Sequence, residues 1–449
     1  MSEATSLLDS PLYSELFTDA SIKRLLSDEA RIRAMLSVEA ALARVEGKRG
    51  IIPPDAAVQI SDAADELDVS LDDLVEGVMN TGMPVSALVN ALQESLADDA
   101  AEFVHWGATT QDIMDTALAL QLREVLAAFA ARLSELSAHL AVRADQHRAD
   151  VMAGRTHGQQ AVPVTFGLKC ATWLTPILRH EARLQELAPR LLVLQFGGSA
   201  GTLAALGDKG LEVTAALADE LGLAAPVIPW HSQRDALVEF AGWLSLVNGS
   251  LAKMAQDVIL LAQSEIAEVR ESSAARGGSA AMPQNPVMSE VIIAAARTNA
   301  SLLSAMHHAL VHEQERSTHG RQLEWLCLPQ MTELTAGALK NAVSLVQDLE
   351  VDVDRMRANI AHANDLIMAE ATVLTLANHM PRSEARALVE RACEEATNEN
   401  RPLVNVVRSL MPSKVKDKVD WKALAEPGNY LGENNRMINA VLAQRGGSS

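Results

Sequence analysis

The chain has 449 residues, 48% hydrophobic but only 3% aromatic, so a large core is possible and must be built from aliphatic side chains. With 38 Lys+Arg against 58 Asp+Glu, the formal net charge of -20 repels nucleic acid and anionic membranes. Three widely spaced cysteines, a polar acidic start and no run of about eighteen apolar residues argue against structural zinc, a secretory signal and a membrane span. The expectation is a cytoplasmic protein with reduced thiols and no nucleic-acid or membrane partner.

Ala and Leu dominate and alternating β-branched runs are few, which predicts an all-α protein. A helix starts near Ser27, with Ile32, Met35, Leu36, Leu42 and Val45 on its apolar side. Ile51-Ile52-Pro53-Pro54 ends it, and shorter helices follow over 55–100, broken at Gly82-Met83-Pro84. His105-Trp106-Gly107-Ala108-Thr109-Thr110-Gln111-Asp112 then precedes a long helix over 113–148 with Leu118, Leu122, Val125, Leu126, Leu133, Leu136 and Leu140 in register. Thr109, Thr110 and Asp112 are good N-caps, but capping leaves His105 unexplained, and spare N–H donors at a helix start also suit a carboxylate. A polar break at 154–160, Gly154-Arg155-Thr156-His157-Gly158-Gln159-Gln160, leads through Pro163 into a helix reaching about Leu192. A Gly/Ser loop over 195–202 and Trp230-His231-Ser232-Gln233-Arg234-Asp235 follow. The latter opens a helix predicted to run to about Glu271, with Leu244, Val247, Leu251, Met254, Val258 and Leu261 as a bundle stripe.

From Arg276 to Glu290 the helical pattern is interrupted by R-G-G-S-A-A-M-P-Q-N-P-V-M-S-E. Gly277 and Gly278 open backbone angles denied to other residues, and Pro283 and Pro286 fix φ, so a mobile loop with rigid segments is expected. Such a stretch is either a plain helix-to-helix turn or a loop that carries chemistry. Helices at 287–312 and 323–350 flank a polar connection containing Arg316 and Arg321. Beyond 351 the helices are shorter and more polar, and Pro381, Pro402, Pro412 and Pro427 mark turns. No P-loop, dinucleotide fingerprint or His-x-x-x-His is present, so no cofactor and no metal are expected.

Taken together, three of these breaks resemble the signatures of the fumarase/aspartase superfamily. G-S-A-A-M-P-Q-N-P-V-M-S-E is similar to G-S-S-x-M-P-x-K-x-N-P-x-x-x-E, H-W-G-A-T-T-Q-D to H-x-G-x-T-S-x-D, and G-R-T-H-G-Q-Q-A-V-P-V-T-F-G to G-R-T-H-x-Q-x-A-x-P-x-T-x-G. Within the superfamily, the runs 192–201 and 230–235, Gln314-Glu315-Arg316 with Glu324-Trp325, and Pro427–Gly432 resemble the branch that cyclises 3-carboxy-cis,cis-muconate in protocatechuate breakdown by the β-ketoadipate route. Adenylosuccinate lyase-like elimination to fumarate is the second reading, because His157 is typical of the lyases. A non-catalytic helical scaffold is the reading from another class.

The resemblance implies a central long-helix bundle and three regions, 1–111, 112–350 and 351–449. It also implies a homotetramer whose active sites are each built by three subunits around a small tricarboxylate. It makes Ser279 and His157 the proton-transfer groups, and His105, Thr109, Thr110, Gln159, Asn285, Arg316 and Arg321 the substrate-binding groups. The chain departs from the pattern in one loop. Gln284 is followed at once by Asn285, so the pattern's lysine is missing, and Ala280 stands where the second serine would be. Another cation must then meet the substrate.

Overall fold

A computed structural model describes residues 4–272 and 285–446. The architecture is helical, and the chain divides into two compact units. Unit one comprises Met1–Arg132, His180–Gly249 and Ala294–Lys340; unit two comprises Leu133–Arg179, Ser250–Ile293 and Asn341–Ser449. These units interleave along the chain, because the longest helices contribute a stretch to each.

In unit one, α1 (Asp28–Lys48) starts as the sequence predicts. Ser27 Oγ accepts from the Ala30 N–H at 3.2 Å, and Asp28 and Glu29 lie in the positive first turn. Met35, Leu36, Leu42 and Val45 are buried against the helix Pro54–Glu66. The two helices meet closely because Gly47 has no side chain: a Cβ there would sit 2.4 Å from Ala57 Cβ. The helix α2 (Leu71–Thr81) ends on Gly82 at φ 75°, a left-handed C-cap, where the sequence places a break.

The first half of α3 (Thr110–Gln146) continues this core through Ile113, Ala117, Ala119 and Leu120, and Leu122, Val125 and Phe129 are buried too, whereas Leu118 is only partly buried. By length and composition alone α3 could cross a membrane, but Leu133, Leu136 and Leu140, farther along it, are fully buried.

The hairpin β1 (Val151–Thr156) and β2 (Gln159–Thr165) belongs to unit two and was not expected from a helical reading. Its two-residue turn, His157-Gly158, has φ of 51° and 76°, as a type I′ turn requires. Val151 and Ala153 point into the unit-two core, while residues 156–159 are exposed.

After the hairpin come α4 (Phe166–Leu191), α5 (Asp235–Leu261), α6 (Val287–Ala309) and α7 (Gly320–Asp348). The whole predicted stripe of α5, from Leu244 to Leu261, is buried. Each such side chain contributes about 1.5–3 kcal/mol relative to exposure. Within unit one, buried amides tie α5, α6 and α7 at a fixed level. Asn248 and Asn299 both donate to Thr335 Oγ1, at 2.6 and 3.1 Å.

The expected extension of α5 to Glu271 is corrected. The helix stops at Leu261, Ala267 takes φ 51°, and Val269–Arg270 pairs with Glu350–Val351. In the last hundred residues Pro381, Pro402 and Pro412 each stand just before a helix start, where the missing N–H costs nothing.

Candidate active site

Unit one gathers five of the predicted residues around the start of α3. Asp112 is the hub. Its carboxylate accepts from the N–H groups of Thr109, Gly197 and Gly198 at 3.0, 3.0 and 2.8 Å. It also accepts from Gln195 Nε2 at 3.1 Å and pairs with His231 Nε2 at 2.7 Å. Gln195 Oε1 in turn accepts the Trp230 N–H at 2.7 Å. Three sequence breaks, 105–112, 195–202 and 230–235, are thereby tied to one buried carboxylate. The Thr109–Asp112 bond is half of a capping box, so the capping account of these residues is correct as far as it goes.

Capping leaves the hydroxyls of Thr109 and Thr110 free, and both accept from one guanidinium. Arg316 Nη1 reaches Thr109 Oγ1 at 2.8 Å and Nη2 reaches Thr110 Oγ1 at 3.2 Å. Beside them, Arg321 is only 7% exposed, yet its Nε has no hydrogen-bond partner. Its Nη1 touches only Met83 Sδ, at 3.5 Å, and the same sulfur lies 3.5 Å from Thr110 Oγ1. Burial and the neighbouring cations pull the Arg321 pKa down, though far too little to discharge it. Among the described residues neither Arg316 nor Arg321 has a carboxylate within ion-pair distance. Two cations with no carboxylate at ion-pair distance, beside two hydroxyls, are suited to a carboxylate ligand, although Asp115 and Glu324 offset part of the Arg321 charge from farther off.

Beneath this cluster, Arg234 is 1% exposed and spans two carboxylates. It bonds Asp115 at 2.7 and 3.0 Å and Glu324 at 2.8 and 2.6 Å, with its guanidinium 4.8 Å from the Trp230 ring. Sequence reasoning quoted Arg234 only as part of a motif and gave it no role. His105, at φ 63°, pairs through Nδ1 with Glu39 Oε1 at 2.6 Å. Burial alone would lower its pKa, but the Glu39 charge and hydrogen bond outweigh that and raise it. Glu39 was missed, although a charge inside the apolar stripe of α1 is a visible signal.

Unit two holds His157 and Gln159 at the exposed hairpin tip, and neither side chain has a hydrogen-bond partner among the described residues. Just behind the turn, Arg155 anchors the hairpin by bonding the fully buried Glu268 at 2.9 and 2.6 Å; Asn359 adds a third bond to Glu268 at 2.9 Å. Asn285 is exposed. Glu271 caps the start of α6, accepting from Met288 N at 3.0 Å and Ser289 N at 2.9 Å. Ser279 lies outside the described residues. No cluster of metal-ligating side chains occurs among the described residues.

The family described as "Lyase" matches residues 8–298, and "Adenylosuccinate lyase C-terminus" matches residues 365–441. The 3-carboxy-cis,cis-muconate cycloisomerase of Pseudomonas aeruginosa is 44% identical over 96% of both chains. That of Acinetobacter baylyi is 38% identical over 98% of this chain and 100% of its own. The crystal structure of the 3-carboxy-cis,cis-muconate lactonizing enzyme from Pseudomonas putida superposes with a TM-score of 0.92, at 39% identity, over 97% of this chain and 99% of that one. Motifs, fold and relatives agree: the chain belongs to the lyase family of the fumarase/aspartase superfamily.

Proposed function

We propose that the chain is a 3-carboxy-cis,cis-muconate cycloisomerase of the β-ketoadipate route, closing its tricarboxylate substrate to γ-carboxymuconolactone. The observation that carries this reading is the cluster of Arg316, bonded to the Thr109 and Thr110 hydroxyls, with Arg321, neither guanidinium having a carboxylate at ion-pair distance among the described residues. A tricarboxylate is the kind of ligand such a cluster binds, and Arg321 offers the cation that the loop, lacking its lysine, does not.

The chemistry moves one carboxylate and one proton. A substrate carboxylate oxygen adds to a double bond, and the electron pair passes into a neighbouring carboxylate to give an aci-carboxylate. A proton then adds to carbon. Run backwards, this is β-elimination. Charge grows on the receiving carboxylate, so donors fixed before reaction, Arg316, Arg321 and the two threonines, stabilise the intermediate more than the substrate. Ser279 and His157 are assigned the proton transfers, an imidazole being suited to that task near neutrality. His105, Gln159 and Asn285 complete the substrate-binding set.

A homotetramer with shared sites accompanies this reading, with 1–111, 112–350 and 351–449 as its regions. The exposure of His157 and Gln159, whose side chains have no hydrogen-bond partners among the described residues, supports completion of the site by another copy. Light scattering should give four times 48.1 kDa.

Turnover is tested by loss of the ultraviolet absorbance of 3-carboxy-cis,cis-muconate. The match to the adenylosuccinate lyase C-terminus favours the second reading, a fumarate-releasing lyase. Inertness towards the muconate together with cleavage of adenylosuccinate would establish it. Inertness towards both substrates would point to another carboxylate substrate or to a loop made incompetent by its missing lysine; no turnover, and no change on Ser279→Ala or His157→Ala, is what the scaffold reading predicts.

A further inference from the structure

We propose that Glu39 is a positioning residue for the reaction, holding the His105 imidazole through Nδ1 so that Nε2 presents an N–H to a substrate carboxylate. This rests on the reading of His105 as a substrate-binding group. Nothing in the sequence motifs points to Glu39, which lies in α1, 66 positions before its partner.

The Nδ1–Oε1 distance is 2.6 Å, and the Glu39 side chain is 1% exposed against 18% for His105. A buried carboxylate bonded to Nδ1 makes that nitrogen a donor, whatever the protonation state of the ring. The remaining nitrogen, Nε2, has no hydrogen-bond partner among the described residues and is not among the buried polar atoms. The backbone fixes the same geometry: His105 and Gly107 both take left-handed angles, 63° and 70°. These two bends aim the loop between α1 and the Asp112 hub, and a non-glycine residue held there marks a site where the surroundings impose the conformation.

The charges around the dyad favour an imidazolium. Glu39 Oε2 has no hydrogen-bond partner among the described residues, and Asp112 adds a second negative field from α3. Glu46, seven residues along α1 from Glu39, is also buried but takes no share of the charge. Burial, with the Glu39 charge second, pushes its carboxyl up to about 9, so it is neutral at pH 7. Glu39 is therefore the carboxyl that meets the ring, and Glu46 behind it is a neutral acid. The raised His105 pKa favours the imidazolium, the form in which Nε2 carries an N–H that can donate to a carboxylate oxygen.

The test uses the full chain as wild type, Glu39→Gln, Glu39→Asp and His105→Gln, with kcat and KM for 3-carboxy-cis,cis-muconate measured from pH 5.5 to 9. Glu39→Gln should raise KM about tenfold at pH 7, the difference between a charged and a neutral donor, with kcat within about twofold. It should also move the alkaline limb of kcat/KM down by about one pH unit, because the imidazolium loses its counter-charge. Glu39→Asp should restore much of that shift. The 13Cε1 signal of His105 in labelled protein, assigned with His105→Gln, should titrate at lower pH in Glu39→Gln. Unchanged KM, pH limb and titration in a folded Glu39→Gln protein, with the wild type active, would overturn the proposal and leave the functional reading intact. An inactive wild type would defeat the reading and the proposal together.

Discussion

Glu46 gives the sharpest test of the energetics of unit one. Its side chain is buried in the α1 core, and neither oxygen has a hydrogen-bond partner among the described residues. In the unfolded chain the carboxyl titrates near its ordinary value of 4.5; in the fold it rises to about 9. The folded state therefore binds a proton that the unfolded state has lost. Between these two values stability must fall as pH rises. From pH 5 to pH 7 the loss amounts to roughly 2.5 kcal/mol at 1.36 kcal/mol per unit, reduced slightly near the lower end.

Glu46→Gln keeps the shape and removes the titration. Its unsatisfied amide adds a destabilising offset, but that offset does not vary with pH. The measurement is urea unfolding of wild type and variant at pH 5 and pH 7, at one protein concentration, followed by circular dichroism. The stability difference should swing towards the variant by roughly 2.5 kcal/mol over that interval. Parallel pH dependences in the two proteins would refute the argument, and would mean that Glu46 is ionised in the fold.

Three further outcomes follow from the same geometry. Arg234→Met should leave Asp115 and Glu324 buried without a counter-charge and cost about 3–5 kcal/mol, read as a lowered melting temperature; a wild-type melt would contradict it. Arg316→Ala should lower kcat/KM about tenfold or more by removing a charge-assisted contact, with the melting curve unmoved because Thr109 and Thr110 keep their backbone bonds. Ser279→Ala and His157→Asn should each lower kcat by about 10²–10⁴ with little change in KM, and equal activity in either variant would remove that residue from proton transfer.

The helices were legible because their signals are local. Ser27, the Gly82 stop and the α5 stripe each act within a few residues, and each stands where its chemistry places it. The hairpin was not legible. Its strands contain Gly154 and Pro163, its turn is His-Gly rather than Asn-Gly, and its alternation is brief. The end of α5 was misplaced because residues 262–271 are good helix formers overruled by tertiary contacts. Glu268 is taken by Arg155 and Asn359, and Val269 by Val351. In the candidate site, Thr109, Thr110 and Arg316 come together as the resemblance implies. The supports beneath them were invisible in the sequence, since Arg234 lies 119 positions from Asp115 and 90 from Glu324. Ion pairs of that kind have no local signature.

The turn at His157-Gly158 also bears on how this position can change over generations. At φ 51° most side chains are strained, whereas Asn and Asp tolerate the left-handed region. Both are a single base change from either histidine codon. A descendant that abandons the imidazole can therefore keep the hairpin by passing through Asn or Asp. A step to a β-branched residue would cost the turn as well as the chemistry. Mutational drift at this position is channelled by the backbone before selection on catalysis acts, which makes Asn the replacement that isolates loss of the ring from loss of the fold.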